Sequence, residues 1–128
     1  MIPRAPAFVG TDTGVGKTAA AIAFQRFLAP SHGLVPVVKP YVSGQENGRW
    51  SDLDRLGLPP DEWPPARYRR PLSPYGAARR GEPLVACQET RRYLADVARR
   101  HPRFIVEGIG GVAVPLEPGR LWLDLQPE

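Results

Sequence analysis

Residues 8–18 read FVGTDTGVGKT, a glycine-rich stretch that separates an apolar segment from an alanine-rich one. Residues 5–9 predict a short buried strand, and residues 17–28 predict a helix that is apolar nearly all round and therefore buried. Backbone N–H groups at the start of such a helix attract an anion, and Gly14 and Gly16 allow the backbone to approach its oxygens closely. The stretch therefore predicts a P-loop, a loop that binds phosphate groups.

The side chains at the end of this loop fit the same chemistry. Lys17 offers a compact positive charge to the β- and γ-phosphates of a nucleotide, and the hydroxyl of Thr18 can ligate Mg²⁺. Five residues separate Gly10 from Gly16, where most P-loops have four. An ordinary strand-to-helix turn that contains glycines is the alternative, and the Gly-Lys-Thr sequence in this position disfavours it.

The rest of the chain predicts an α/β fold. Apolar runs at 34–38 and 104–106 predict two further strands, and helices are expected over 51–56, 74–80 and 83–100. Strands that alternate with helices favour a P-loop NTPase-like parallel sheet flanked by helices. Three central strands make a thin sheet, so we expect the sheet to need more strands than this chain supplies.

A second lysine and two carboxylates extend the candidate site. Lys39 follows the second predicted strand, and the carboxyl ends of parallel strands share one edge, so Lys39 is expected on the same edge as Lys17. Glu107 ends the third strand, and a carboxylate at a strand end beside a P-loop is the usual second contact to Mg²⁺. Asp52 is open to two interpretations, a metal ligand or a helix N-terminal residue favoured by the helix dipole.

Composition restricts the classes of protein. The 128 residues are 42% hydrophobic and 23% charged, which is typical of one soluble globular domain spanning 1–128. No apolar run is long enough for a bilayer, and the N-terminus lacks the apolar core of a signal peptide. A single cysteine, Cys87, excludes an intrachain disulfide framework. The net charge is +4, but the arginines are scattered in short pairs and form no nucleic-acid recognition module. A cytoplasmic protein is expected.

Four segments together resemble the dethiobiotin synthetase family. They are FVGTDTGVGKT at 8–18, KPYVSG at 39–44, PLSPY at 71–75 followed by two alanines, and VEGIGG at 106–111 followed by Pro-Leu. The unusual spacing of the P-loop is ordinary in this family. The resemblance covers the whole chain, whereas the chain covers a little more than half of a typical member. The resemblance therefore implies a fold that is truncated on its C-terminal side. Gly14 stands where members often have glutamate, and Tyr75 replaces a usual histidine.

The resemblance implies an ATP- and Mg²⁺-dependent ligase of biotin biosynthesis. Such an enzyme carboxylates 7,8-diaminopelargonate with CO₂ (or bicarbonate as its source) and closes the ring to dethiobiotin, releasing ADP and phosphate. By this resemblance, Lys17 and Lys39 are catalytic, and Thr13 and Ser43 contact the diamine or its carbamate. The implied metal ligands are Thr18, Asp52 and Glu107. The implied ATP-binding residues are Thr13, Gly14, Val15, Gly16, Lys17, Thr18, Asp52, Glu107, Gly108 and Gly110.

Further expectations concern the partners of the chain. The resemblance implies a homodimer that acts on small molecules, and we expect neither nucleic acid nor membrane as a partner. The alternatives are a related P-loop amidoligase, a regulatory ATPase of the septum-site or partitioning type, and a nucleotide-binding fragment without activity. An amidoligase such as cobyrinic acid diamide synthase would carry Phe-Lys-x-Gly-Pro-Asp where this chain has KPYVSG at 39–44. A regulatory ATPase would carry a second lysine early in the P-loop, where this chain has Asp12.

Overall fold

The computed structural model describes residues 4–125. Short strands alternate with helices along most of the chain. The strands are β1 (Ala7–Phe8), β2 (Val37–Val38), β3 (Tyr41–Ser43), β4 (Ala66–Tyr68), β5 (Ile105–Glu107), β6 (Pro115–Glu117) and β7 (Arg120–Leu121). The α-helices are α1 (Lys17–His32), α2 (Ser51–Leu56), α3 (Pro74–Ala78) and α4 (Cys87–Arg100), and single 3-10 turns cover Pro60–Glu62 and Trp122–Leu125.

The main sheet has three parallel strands in the order β1-β5-β2. Val106 of β5 is paired with Ala7 on one side and with Val38 on the other, so β5 is the central strand. Pro36 lacks an N–H group, yet its carbonyl accepts the Ile105 N–H at 2.9 Å, which is why a proline is tolerated at this edge of the sheet. The prediction of a parallel sheet flanked by helices is confirmed.

Helix α1 corrects one prediction, since it is not buried all round. Only Ala21 and Leu28 are buried, and Phe27 is 71% exposed. One face of the helix packs on a sheet too narrow to cover more of it. The helix also continues beyond the predicted end at residue 28, to His32, with Pro30 inside its last turn. Gly33 ends the helix at a φ of 69°, and its N–H donates to the Ala29 carbonyl.

A second, two-stranded sheet is present that the sequence analysis did not predict. Strands β3 and β4 pair in parallel, from Tyr41 opposite Ala66 to Ser43 opposite Tyr68. Beyond β4, the Glu82 carboxylate accepts the backbone N–H groups of residues 69 and 70 at 2.7 and 3.0 Å. Strands β6 and β7 form an antiparallel hairpin, which the sequence analysis also did not predict.

Helix α4 begins at Cys87, whereas the sequence predicted a start at residue 83. Two hydrogen bonds hold the preceding residues in an extended conformation. The Val85 N–H donates to the Tyr68 hydroxyl at 3.1 Å, and the Cys87 N–H donates to a Glu117 carboxylate oxygen at 2.9 Å. These tertiary partners replace the first helical turn that Pro83 would permit.

Strand β1 has no neighbour on its second edge within residues 4–125. An apolar groove of about 700 Å³ lies beside β1, between the sheet and α4, and its lining includes Ala7, Val9, Leu94, Val106 and Trp122. The open edge agrees with the expectation that the sheet lacks strands. No helix among the described residues is long and apolar enough to span a bilayer.

Candidate functional site

The P-loop joins β1 to α1 at the carboxyl edge of the main sheet. Gly14 and Gly16 adopt φ angles of 74° and 96°, a left-handed region that other residues enter only at a cost. Gly16 is the N-cap of α1, which has no side-chain cap and no acidic residue in its first turn. The N–H groups at the start of α1 are therefore disposed to receive an anion.

Two hydrogen bonds within the loop hold its shape. The Lys17 ammonium donates to the Asp12 carbonyl at 2.6 Å, and the Thr13 N–H donates to the Asp12 carboxylate at 2.7 Å. A Cβ at Gly10 would lie only 2.7 Å from the Val15 side chain, so the loop closes over this glycine. Lys17 thus lies across the loop that the sequence assigns to phosphate.

Four side chains from four separate elements meet beside the loop. The Thr18 hydroxyl, in the first turn of α1, donates to Glu107 Oε1 at 2.6 Å. The Lys39 ammonium, after β2, lies 2.5 Å from Asp52 Oδ2 and 3.4 Å from the same Glu107 oxygen. We call Thr18, Lys39, Asp52 and Glu107 the cation cluster.

The cation cluster has an excess of negative charge. Its single ammonium faces two carboxylates, and Glu107 is only 2% exposed. Burial of a charge is costly unless the charge is paired, so the contact with Lys39 stabilises Glu107. The second carboxylate oxygen, Glu107 Oε2, is buried and has no hydrogen-bond partner among the described residues. The cluster can therefore accommodate more positive charge than Lys39 supplies.

The donor atoms of the cluster fit Mg²⁺ bound together with a nucleotide. Carboxylate and hydroxyl oxygens are hard ligands, which Mg²⁺ prefers. Within residues 4–125 no group of three or more His, Cys, Asp or Glu side chains forms a metal cage. Mg²⁺ commonly binds through one or two carboxylates and completes its shell with phosphate oxygens and water. Two carboxylates and the unpartnered oxygen of Glu107 suit that mode.

The glycine-rich turn after β5 packs directly against the P-loop. A Cβ at Gly111 would lie 2.6 Å from the Thr11 carbonyl oxygen, and one at Gly110 would lie 3.7 Å from the Thr13 hydroxyl. On the other side, a Cβ at Gly108 would lie 3.0 Å from the Trp122 indole nitrogen. The absence of side chains at these positions allows the two loops to touch.

Trp122 is a residue near the site that the sequence analysis missed. It is 5% exposed, and its ring meets Tyr41 edge-on with the centroids 6.1 Å apart. The sequence signal that could have identified it is a tryptophan between two leucines at 121 and 123. Nearby, burial raises the pKa of the Cys87 thiol above its ordinary value of 9.0, so this buried cysteine is a core residue rather than a nucleophile.

Not every predicted site residue contacts the cation cluster. Ser43 ends β3 in the second sheet, where the following Gly44 N–H donates to the Tyr68 carbonyl. Within the described part of the chain, no hydrogen bond connects Ser43 to the cation cluster. For Asp52 the two interpretations coexist, because it lies in the first turn of α2 and also pairs with Lys39.

Comparison with known proteins identifies the family. The sequence model of a family described as an AAA domain matches residues 7–127, which is nearly the whole chain. The chain belongs to this family. The matched region contains the P-loop, all four members of the cation cluster and the glycine-rich turn.

Several curated proteins are similar to the chain. The ATP-dependent dethiobiotin synthetase of Anaeromyxobacter dehalogenans strain 2CP-C is 40% identical over 123 residues, 91% of this chain and 55% of that protein. The protein of the same name from Bacillus licheniformis is 36% identical over 114 residues, 84% of this chain and 48% of that protein. These matches confirm the resemblance to dethiobiotin synthetases. The chain spans about half the length of the curated relatives that it matches.

Proposed function

We propose that this chain carries the nucleotide- and metal-binding part of an ATP-dependent dethiobiotin synthetase. The observation that carries the proposal is the cation cluster at the carboxyl edge of the sheet, beside a P-loop, in a chain similar to proteins of that name. The reaction is the carboxylation of 7,8-diaminopelargonate and its closure to dethiobiotin. The proposed enzyme is a cytoplasmic homodimer.

The reaction consists of three steps, and the second, phosphoryl transfer, moves negative charge between oxygens. One amine of the diamine attacks CO₂, a C–N bond forms, the nitrogen loses a proton, and a carbamate results. A carbamate oxygen attacks the γ-phosphorus of ATP, and the bond to ADP breaks. The second amine then attacks the carbamoyl carbon, loses a proton and displaces phosphate, which leaves the cyclic urea. Catalysis of this kind depends mainly on positioning and electrostatic stabilisation.

Two lysines supply the positive charge that these steps need. Lys17 would leave the Asp12 carbonyl and contact the γ-phosphate, because a phosphate oxygen is a stronger acceptor for an ammonium than a neutral carbonyl. Lys39 would bring the carbamate and the γ-phosphate together from the neighbouring strand end. Thr13 and Ser43 are proposed to contact the diamine or its carbamate.

The remaining site residues are proposed to bind Mg-ATP. Thr18, Asp52 and Glu107 would hold Mg²⁺, which when bound neutralises part of the phosphate charge. The proposed ATP contacts along the two loops are Thr13, Gly14, Val15, Gly16, Lys17, Gly108 and Gly110. The close packing of the glycine-rich turn on the P-loop supports a shared site for both loops.

A second candidate function is nucleotide binding without turnover. The open edge of β1 favours it, because within residues 4–125 the strand that leads into the P-loop has a neighbour on one side only. The amidoligase alternative has less support, because the segment KPYVSG at 39–44 differs from the sequence expected of that group.

A product assay separates these functions. The purified chain is incubated with Mg-ATP, bicarbonate and 7,8-diaminopelargonate, and mass spectrometry detects the cyclic urea. A reaction without the diamine gives the background ATPase rate. Diamine-dependent product that disappears in Lys39→Met but persists in Arg49→Met supports the ligase, since Arg49 pairs with Asp54 on the exposed surface. A folded chain that binds Mg-ATP and yields no product contradicts it and favours nucleotide binding alone.

A further inference from the structure

The ammonium of Lys39 contacts the same oxygens that are proposed to hold Mg²⁺. It lies 2.5 Å from Asp52 Oδ2 and 3.4 Å from Glu107 Oε1, which also accepts the Thr18 hydroxyl at 2.6 Å. Each proposed metal ligand is therefore engaged with Lys39 or with a partner of Lys39. The second oxygen of Glu107, Oε2, is buried and has no hydrogen-bond partner among the described residues.

We propose that Lys39 and the divalent cation compete for these carboxylates, and that a bound nucleotide resolves the competition by drawing the Lys39 ammonium onto phosphate. The inference rests on the proposed function, of which it describes the regulation. Mg²⁺ alone then binds weakly, and Mg²⁺ with a triphosphate binds well. Lys39 acts as a built-in counter-ion that couples occupation of the metal site to occupation of the P-loop.

Charge and distance support the competition. With Lys39 in contact, the cluster has one positive and two negative groups, and without it the two carboxylates stand alone. A divalent cation bound to those oxygens would lie within a few ångströms of the ammonium, where two positive charges repel strongly in a buried site. A triphosphate adds several negative charges on the side of the P-loop and supplies new acceptors for the ammonium.

Flexibility and burial make Lys39 suited to this exchange. Its stem has four rotatable carbon–carbon bonds, and 11% of its side chain is exposed, so the ammonium can move towards the loop without unfolding the strand. Glu107 is 2% exposed and needs a counter-charge. Removal of the ammonium should therefore destabilise the metal-free protein, and an added divalent cation should restore that loss.

The test measures binding of Mg²⁺ alone, without diamine and without turnover. Isothermal titration calorimetry compares wild type, Lys39→Met and the matched control Arg49→Met, which removes a cation from an exposed pair at the start of the same helix α2. We expect Lys39→Met to bind Mg²⁺ at least tenfold more tightly than wild type and to gain more in Tm on adding it. Arg49→Met should behave as wild type. A non-hydrolysable ATP analogue should tighten Mg²⁺ binding more in wild type than in Lys39→Met.

Several results would overturn the inference. They are unchanged or weaker Mg²⁺ binding in Lys39→Met, an equal gain from the nucleotide analogue in both proteins, or no Mg²⁺ binding in any of them. Failure to make dethiobiotin would count against the proposed function only, because the titrations involve no product.

A second measurement uses the wild-type chain alone and covers the case in which Lys39→Met does not fold. The chain has only two lysines, Lys17 and Lys39. In protein labelled with ¹⁵N-lysine, the two side-chain ammonium signals can be assigned with Lys17→Arg. We expect the Lys39 signal to shift strongly when Mg²⁺ and the ATP analogue are added together. A Lys39 signal that stays unchanged at saturation would contradict the exchange.

Discussion

Replacing Gly111 with alanine should weaken nucleotide binding as well as the fold. The added Cβ would lie 2.6 Å from the Thr11 carbonyl oxygen, which belongs to the P-loop backbone. A backbone atom cannot swing aside as a flexible side chain does. The turn and the P-loop must therefore separate by roughly 0.8 Å before the contact becomes an ordinary van der Waals distance.

The size of both effects follows from this displacement. Overpacking of this kind costs about 1–3 kcal/mol of unfolding free energy. A shift of the P-loop also misplaces the N–H groups that would bind phosphate, and one lost hydrogen bond to a charged group is worth about 1.5–3 kcal/mol. The expected loss of affinity for the Mg-ATP analogue is therefore roughly 10- to 100-fold.

The matched control is Gly119→Ala, in the turn between β6 and β7. Gly119 has a φ of 73° and an open space around its Cβ position, so alanine there costs roughly 1–2 kcal/mol through the backbone alone. Urea unfolding measures the stability of both variants, and calorimetry measures their affinity for the ATP analogue. Both should be destabilised, and only Gly111→Ala should bind more weakly. Nucleotide binding within twofold of wild type in a destabilised Gly111→Ala would refute the coupling of the two loops.

Two further predictions concern buried ionisable groups. Glu82→Gln should lower the unfolding free energy measured in urea by about 1–3 kcal/mol. The reason is that the carboxylate accepts the N–H groups of both residues 69 and 70, whereas the oxygen of an amide can replace only one of its two oxygens. The exposed control Glu46→Gln should change the unfolding free energy by under about 0.5 kcal/mol, and equal effects of the two substitutions would contradict the argument. Burial raises the pKa of the Tyr41 hydroxyl above its ordinary value of 10.0, so the unfolded chain loses this proton first and stability falls as pH rises through about 10. Between about pH 9 and pH 11 the unfolding free energy should fall less steeply in Tyr41→Phe than in wild type. An unchanged slope would contradict the assignment of this pH dependence to Tyr41.

Local chemistry made the P-loop and the strand ends predictable. Gly14 and Gly16 have the positive φ angles that their role in the loop requires, and α1 starts at Lys17 as the sequence predicted. The rule that parallel strands share a carboxyl edge predicts that Glu107 and Lys39 lie on one side of the sheet. Their contact at 3.4 Å agrees with that rule.

Features that depend on distant partners were not predictable. Strands β3 and β4 have three residues each, too few for a periodic pattern, and they exist because they pair with each other across more than twenty residues. The start of α4 depends on the Tyr68 hydroxyl and the Glu117 carboxylate, which no local signal near residue 83 reveals. Asp52 was open to two interpretations because only its contact with Lys39 distinguishes a site residue from a helix-end residue.

The order of the strands explains why the cation cluster forms. Strand β5 lies between β1 and β2, so Glu107 at its end lies between the P-loop that follows β1 and Lys39, which follows β2. If β5 lay at an edge of the sheet, Glu107 could reach only one of these two neighbours. From the central position one carboxylate oxygen contacts both Thr18 and Lys39, and Lys39 extends the contact to Asp52 on α2. A ligand that changes the charge at Glu107 therefore affects Thr18 beside the P-loop, Lys39 at the end of β2 and, through Lys39, helix α2.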